Sequence, residues 1–280
     1  MARNSKENST KKAALDYHEF PQPGKLEIRA TKPLANQRDL SRAYSPGVAE
    51  ACLEIKEDEN TASKYTSKGN LVAVISNGTA VLGLGNIGPG ASKPVMEGKA
   101  VLFKKFANID CFDIEVDEDN PQRLAEIVAS LEPTFGAINL EDIKAPDCFE
   151  VERLCKEKMK IPVFHDDQHG TAIVVGSAAV NAIELSNRKI ENTKIVAVGA
   201  GASGIACLEM LVKLGAKREN IWLSDSKGLI TKNRNEINEE KKRFSQDSNL
   251  SKLDDVIKDC DMFLGLSGPG VLTSKMVLKM

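Results

Sequence analysis

No sign of charge predominates in this chain: 38 basic against 40 acidic residues leave a formal net charge of −2. That balance offers nothing to a nucleic acid or to an anionic membrane surface. No apolar run approaches the roughly 18 residues a membrane span needs, and the basic N-terminus lacks the apolar stretch of a signal peptide. The six cysteines (52, 111, 148, 155, 207 and 260) form no C-x-x-C pair and lie mostly within apolar runs, so they read as reduced core residues of a reducing compartment. These absences predict a cytoplasmic protein with neither a nucleic-acid nor a membrane partner. Its 280 residues, 41% of them apolar, suffice for one large or two modest domains.

Carboxylate is locally abundant. Glu141 and Asp142 follow the apolar run 135–140, and Asp166 and Asp167 follow the strand-like run 161–164. Residues 147–158 between them read as an amphipathic crossover helix with Phe149, Leu154 and Cys155 inward. Two strands joined by one crossover should be parallel and close, which brings both acidic pairs to one edge of a sheet. Crowded carboxylates raise one another's pKa unless protons or a cation neutralise them, and an all-oxygen donor set suits Mg²⁺ or Mn²⁺. The simpler alternative makes Glu141 and Asp142 a polar loop and Asp166 or Asp167 the cap of a helix starting near Thr171.

In chain order, the polar, charged residues 1–12 are expected to be disordered, with folded structure from about Ala13. Tyr44 stands on a loop ahead of the Ser45-Pro46-Gly47 turn and a helix over 48–56. From that context alone, a packing tyrosine is the commoner case. Residues 70–76 read as a strand, Asn77-Gly78 as a hairpin turn and 81–84 as its partner. The glycine- and proline-dense segment 83–94 would let backbone approach a ligand closely. It opens a helix over 95–106 in which Lys99 is either a solvated charge or a desolvated lysine of lowered pKa. Further on, 111–116 reads as a strand, 120–130 as a helix with Pro121 at its first position, and 171–185 as a long helix that must be largely buried.

Residues 194–198 read as a strand, Gly199-Ala200-Gly201-Ala202-Ser203-Gly204 fits G-x-G-x-x-G, and 205–214 is the helix that follows. A second strand ends at Asp225, 21 residues beyond Gly204. Set between strand and helix, with an acid at that distance, the motif reads as a dinucleotide fingerprint whose glycines bring a pyrophosphate to a helix N-terminus. Asp225 would accept from a ribose 2′-hydroxyl and so favour NAD⁺, with Lys227 available to compensate its charge. A dinucleotide site following a divalent-metal crevice points to oxidation of an alcohol whose ketone product a metal polarises. With a carboxylate β to that ketone, loss of CO₂ follows.

The blocks RAYSPGVAEAC, GLGNIGPGASKPVMEGKAVLFKKF, INLEDIKAPDCFEVE, PVFHDDQHGTA, VGAGASG and GLSGPGVLT, in this order, together resemble malic enzyme of the bacterial type, from about residue 15 to the end. The resemblance implies that Tyr44 matches the family's general acid, Lys99 its general base, and Glu141, Asp142 and Asp167 its metal ligands, with Asp166 behind them. Ala200 to Ser203 match the contacts to cofactor phosphate. It also implies malate as substrate, NADP⁺ in preference to NAD⁺, Mg²⁺ or Mn²⁺ as the ion, and a homo-oligomer when the enzyme is complete. Ala80 stands where the animal and plant branch has a malate-binding arginine, so another residue must meet the distal carboxylate.

The fold class expected is α/β: a tail over 1–14, an N-terminal α/β substrate domain over 15–162, and an incomplete doubly wound Rossmann-like domain over 163–280. Counting from Lys194, three strands are expected, which leaves an open edge beside the first strand. The 280 residues are therefore expected to be poorly soluble and weakly active alone, unless a separate C-terminal fragment completes them. A metal-free NAD(P)-dependent dehydrogenase and a non-catalytic remnant are the alternatives. Dependence on Mn²⁺ and turnover of malate would separate the three.

Overall fold

The structure, a computed structural model, describes residues 2–280, with side chains from residue 9 onward. The chain divides into two compact units, Met1–Ile143 with Val151–Phe164, and Lys144–Glu150 with His165–Met280.

The first unit opens on α1 (Ala2–Glu19). The tail expected to be disordered is therefore helical from Ala2, while Met1 lies outside the described residues. Lysine, glutamate and alanine favour helix, and no glycine or proline interrupts before Pro21; Lys12 donates to Asp16 one turn on, at 2.7 Å. Then come α2 (Gln37–Ala43), N-capped by the Asn36 side chain, α3 (Val48–Glu57) and α4 (Ala62–Tyr65), none of which buries a residue. The strand β1 (Leu71–Ser76) is buried along its whole length. It is followed by α5 (Gly88–Ala107), β2 (Asp110–Glu115), α6 (Pro121–Ser130) and β3 (Ala137–Leu140). The helix α7 (Asp147–Lys158) leads to β4 (Val163–His165), and the sheet order is β2-β1-β3-β4. Ala73, Val74, Ile75, Met96, Leu124 and Ile138 are among its core side chains.

The expected hairpin at Asn77-Gly78 does not form. β1 pairs in parallel with β2 on one side and β3 on the other, so both of its edges are taken and 81–84 has no strand to join. Gly78 has another task. Its carbonyl accepts from the Ile87 and Gly88 N–H groups at 3.1 and 3.2 Å. At φ +67°, a Cβ there would lie 2.2 Å from the Gly88 carbonyl oxygen. The turn thus clamps the start of α5 rather than reversing a strand.

The second unit contains α8 (Asp166–Leu185), β5 (Ile195–Val198), α9 (Ala202–Lys213), β6 (Ile221–Asp225) and β7 (Gly228–Leu229). After them come α10 (Glu239–Lys242), α11 (Leu253–Val256), β8 (Met262–Gly265) and α12 (Ser274–Val277). The sheet order is β7-β6-β5-β8. β5 is therefore central, parallel to β6 on one side and β8 on the other, and the open edge expected beside the first strand is filled by β8. The core joins Ile195, Leu208, Leu211, Ile221 and Leu223, each at most 1% exposed; burying one such side chain stabilises by roughly 1.5–3 kcal/mol.

α8 begins at Asp166, five residues before the start read from sequence, and it is not largely buried. Gln168, Ala172, Gly176 and Ala179 form its buried stripe, while Ile173, Val174, Val180 and Leu185 are exposed. Its apolar composition exceeds what one face can hide. All six cysteines are free, and burial pushes the Cys155 thiol up to about 12, so it stays protonated and inert. Among the described residues, no helix is long and apolar enough to cross a membrane.

Candidate active site

Lys99 reaches its place through helical spacing. Ser92, Met96 and Ala100 are the buried positions of α5, and Lys99 lies seven residues after Ser92, on the same side of the helix. Its side chain is 20% exposed, and Nζ sits 3.1 Å from Glu141 Oε2. Lys99 is therefore a partly buried lysine paired with a carboxylate rather than a solvated surface charge. Glu141 Oε2 also accepts from Asn139 Nδ2 at 2.8 Å. Asn139, 2% exposed, was not recognised from sequence as a partner, although its position two residues before Glu141 on a strand puts both on one face.

The carboxylates are positioned by the sheet. The Glu141 N–H donates to the Ile75 carbonyl at 2.9 Å, continuing the β1–β3 ladder one residue past β3, and the Ala80 N–H donates to the Asp142 carbonyl at 2.9 Å. Asp142 adopts φ +52° while 5% exposed. Aspartate tolerates this left-handed conformation better than most residues, and a buried instance is the strain expected at a functional turn. β3 and β4 are neighbours in the sheet, and the Ile138 N–H donates to the Pro162 carbonyl at 2.9 Å. Asp166 and Asp167 follow β4 directly as the first turn of α8, where the helix dipole favours negative charge. They do not cap a helix near Thr171.

One carboxylate oxygen of Glu141 and one of Asp142 lie within 4.8 Å of each other. Both carboxylates are buried, and oxygen donors of this kind suit a hard divalent cation. His165, fully buried, places Nδ1 3.9 Å from Asp167 Oδ2; sequence reasoning passed over it. Tyr44 is 75% exposed, at the C-terminal cap of α2, with its N–H donating to the Leu40 carbonyl. Among the hydrogen bonds of the described residues, none joins its hydroxyl to Lys99 or to the carboxylates.

The glycine fingerprint occupies the turn from β5 into α9. Gly199 has φ +113°, and a Cβ there would fall 2.5 Å from the Leu266 carbonyl oxygen. A Cβ on Gly204 would fall 1.8 Å from the Gly199 carbonyl oxygen. These two glycines are required by the protein's own packing. Gly201 differs: a Cβ would meet nothing within 4 Å, and the residue is exposed at the N-cap of α9. The open space and the unpaired N–H groups of Ala202, Ser203 and Gly204 suit a pyrophosphate.

Asp225 ends β6, beside the fingerprint, for the Gly199 N–H donates to the Ser224 carbonyl at 2.9 Å. Arg234 grips both carboxylate oxygens, Nη1 to Oδ1 at 2.9 Å and Nη2 to Oδ2 at 3.2 Å, and Lys241 Nζ donates to Oδ2 at 2.9 Å. The Lys227 N–H adds a bond to Oδ1 at 2.9 Å. Burial works to raise this carboxyl's pKa, but the Arg234, Lys241 and backbone hydrogen bonds outweigh it and hold it at about 2. The compensating cation is therefore not the Lys227 side chain, which is 70% exposed and 3.8 Å from Glu236. Arg234 and Lys241 arrive from further along the chain, at a spacing with no sequence signature.

Two family descriptions match the chain, "Malic enzyme, N-terminal domain" over residues 23–126 and "Malic enzyme, NAD binding domain" over residues 168–280. An NAD-dependent malic enzyme of Rhizobium meliloti is 61% identical over 268 residues, 95% of this chain and 35% of that protein. An NADP-dependent malic enzyme of Haemophilus influenzae is 60% identical over 272 residues, 96% of this chain and 36% of that protein. The chain thus spans about a third of the length of these curated relatives. The crystal structure of an NAD-dependent malic enzyme from Thermotoga maritima superposes with a TM-score of 0.90 at 44% identity, covering 95% of this chain and 72% of that one.

Proposed function

Because this chain belongs to the malic enzyme family, we propose that it carries the machinery for metal-dependent oxidative decarboxylation of malate, giving pyruvate, CO₂ and the reduced nicotinamide dinucleotide. The observation that carries the reading is the pair of buried carboxylates Glu141 and Asp142, with oxygens within 4.8 Å of each other, and Lys99 held on Glu141. Glu141 and Asp142, together with Asp167 as assigned through the PVFHDDQHGTA block, would hold Mg²⁺ or Mn²⁺, as hard oxygen donors do. Bound there, the ion would supply Lewis acidity at the C2 oxygen, with NAD(P)⁺ as hydride acceptor.

The chain's own side chains would move the protons. Lys99, already beside the carboxylate cluster and mostly withdrawn from water, would take the C2 hydroxyl proton as the C2 hydride departs. Tyr44, assigned through the RAYSPG block, would return a proton to C3 after the C3–C4 bond breaks. The two transfers leave no net proton on the protein, and malate and NAD(P)⁺ become pyruvate, CO₂ and NAD(P)H. Residues 199–204 would seat the pyrophosphate at the start of α9.

The test is absorbance at the reduced-nicotinamide band when the purified chain meets L-malate and either dinucleotide, with and without Mn²⁺. Reduction that requires both malate and Mn²⁺ supports the reading. Equal turnover after exhaustive chelation would overturn the metal role, and malate-independent reduction would overturn the substrate.

A further inference from the structure

We infer that Asp225, Arg234 and Lys241 form a receptor for a phosphate on the adenosine 2′-oxygen, so that the dinucleotide this chain selects is NADP⁺ rather than NAD⁺. The inference rests on the dinucleotide reading of residues 199–204 and adds the group that distinguishes the two cofactors.

An acid at the end of the second strand selects NAD⁺ by accepting hydrogen bonds from the ribose hydroxyls. To do so it needs free lone pairs. An ionised carboxylate has about four acceptor positions, and those of Asp225 meet four donors: Arg234 Nη1 and Nη2, Lys241 Nζ and the Lys227 N–H. The side chain is also only 12% exposed. A ribose hydroxyl arriving there finds the acceptor already occupied.

The surroundings favour an anion instead. One carboxylate against one guanidinium and one ammonium leaves an excess positive charge, and the nearby Lys227 and Glu236 pair with each other. Arg234 carries five N–H donors and Lys241 three. Asp225 uses two of the former and one of the latter, while a further Arg234 Nη1 contact goes to the Gly228 and Leu229 carbonyls at 3.2 Å each. That contact ties the guanidinium to the β6–β7 turn, so its orientation is set before a ligand arrives. A phosphate monoester carries close to two negative charges at neutral pH, and a fixed guanidinium with an ammonium beside it is the donor set such a group takes. Asp225 then acts as a positioning residue that holds the two cations.

Isothermal titration of the 280-residue chain with NADP⁺, NAD⁺, 2′,5′-ADP and 5′-AMP tests this without turnover. Expected are NADP⁺ at least about tenfold tighter than NAD⁺, and 2′,5′-ADP tighter than 5′-AMP by a similar factor. Both advantages should shrink as salt rises. Arg234→Gln and Lys241→Gln should each cost about tenfold in NADP⁺ and 2′,5′-ADP affinity while NAD⁺ and 5′-AMP stay within about threefold. Should Arg234→Gln fail to fold, the less anchored Lys241→Gln and the salt series still decide the matter. NAD⁺ binding as tightly as NADP⁺, or variants that weaken both dinucleotides alike, would overturn the inference and leave the dinucleotide reading standing. If none of the four compounds bound, both would fall.

Discussion

Lys99 Nζ stands 3.1 Å from Glu141 Oε2, so the amine proposed as base rests against a carboxylate proposed as metal ligand. The ammonium competes with a divalent ion for that oxygen. Replacing it with a neutral side chain of similar length should remove the competitor and the base together. Lys99→Met is expected to bind Mn²⁺ as well as the parent or a few-fold tighter, while malate turnover drops by about 10²–10⁴. Titration with Mn²⁺ followed by electron paramagnetic resonance, paired with the absorbance assay, reads both. A loss of Mn²⁺ affinity would place Lys99 in support of the ligands rather than in competition with the ion.

Asp167, proposed as the third metal ligand, stands in the first turn of α8. Asp167→Asn keeps the shape but surrenders the charge, and a neutral amide oxygen is a poorer ligand for a hard cation. Mn²⁺ affinity should fall by at least about tenfold, with the thermal midpoint of the metal-free protein changed little because the side chain is 31% exposed. Unaltered Mn²⁺ binding in this variant would remove Asp167 from the ligand set.

The acidic pairs, the glycine turn and most of the strand segments were legible because each rests on local pattern: apolar runs ending in carboxylates, and glycines set between strand and helix. What was missed depends on pairing across the chain. Asn77-Gly78 carries a hairpin signal, yet β2 and β3 had taken both edges of β1, and no local pattern records that. β8 likewise fills the side of β5 that counting strands had left open. Asp225 was visible as an acid at the right distance, but whether its lone pairs are free depends on Arg234 and Lys241, 9 and 16 residues away. The helix over the N-terminal residues was hidden by polarity, which lowers the hydropathy without lowering helix propensity.

The two glycines that flank the start of α9 should respond oppositely to alanine. At Gly204 the methyl would fall 1.8 Å from the Gly199 carbonyl oxygen, so Gly204→Ala is expected to cost about 3 kcal/mol of stability or prevent soluble expression. At Gly201 the space is open and φ is −89°, so Gly201→Ala should fold with stability within about 1 kcal/mol of the parent. Its methyl would occupy the approach to the pyrophosphate, and affinity for both dinucleotides should fall at least about tenfold. Calorimetric melting and dinucleotide titration check the pair. Unchanged dinucleotide binding in Gly201→Ala would show that the open space is not where the phosphates lie.

Asp225 should also leave its mark on stability against pH. Its folded pKa is about 2, below the ordinary value of 3.8, so the folded state holds the ionised form more tightly than the unfolded chain does. The stabilisation is complete above about pH 4 and is lost as pH falls from 3.8 towards 2, where Asp225 protonates in both states. Asp225→Asn lacks this charge at every pH and leaves Arg234 and Lys241 facing an amide. Urea denaturation of parent and variant should therefore differ most at pH 5 to 6, and the difference should shrink steadily between pH 4 and pH 2 as the parent loses what the variant never had. The comparison subtracts the other carboxylates, which titrate in both proteins. A gap between the two midpoints that stayed constant from pH 6 to pH 2 would mean that the Asp225 charge contributes nothing, and that its partners hold it by shape alone.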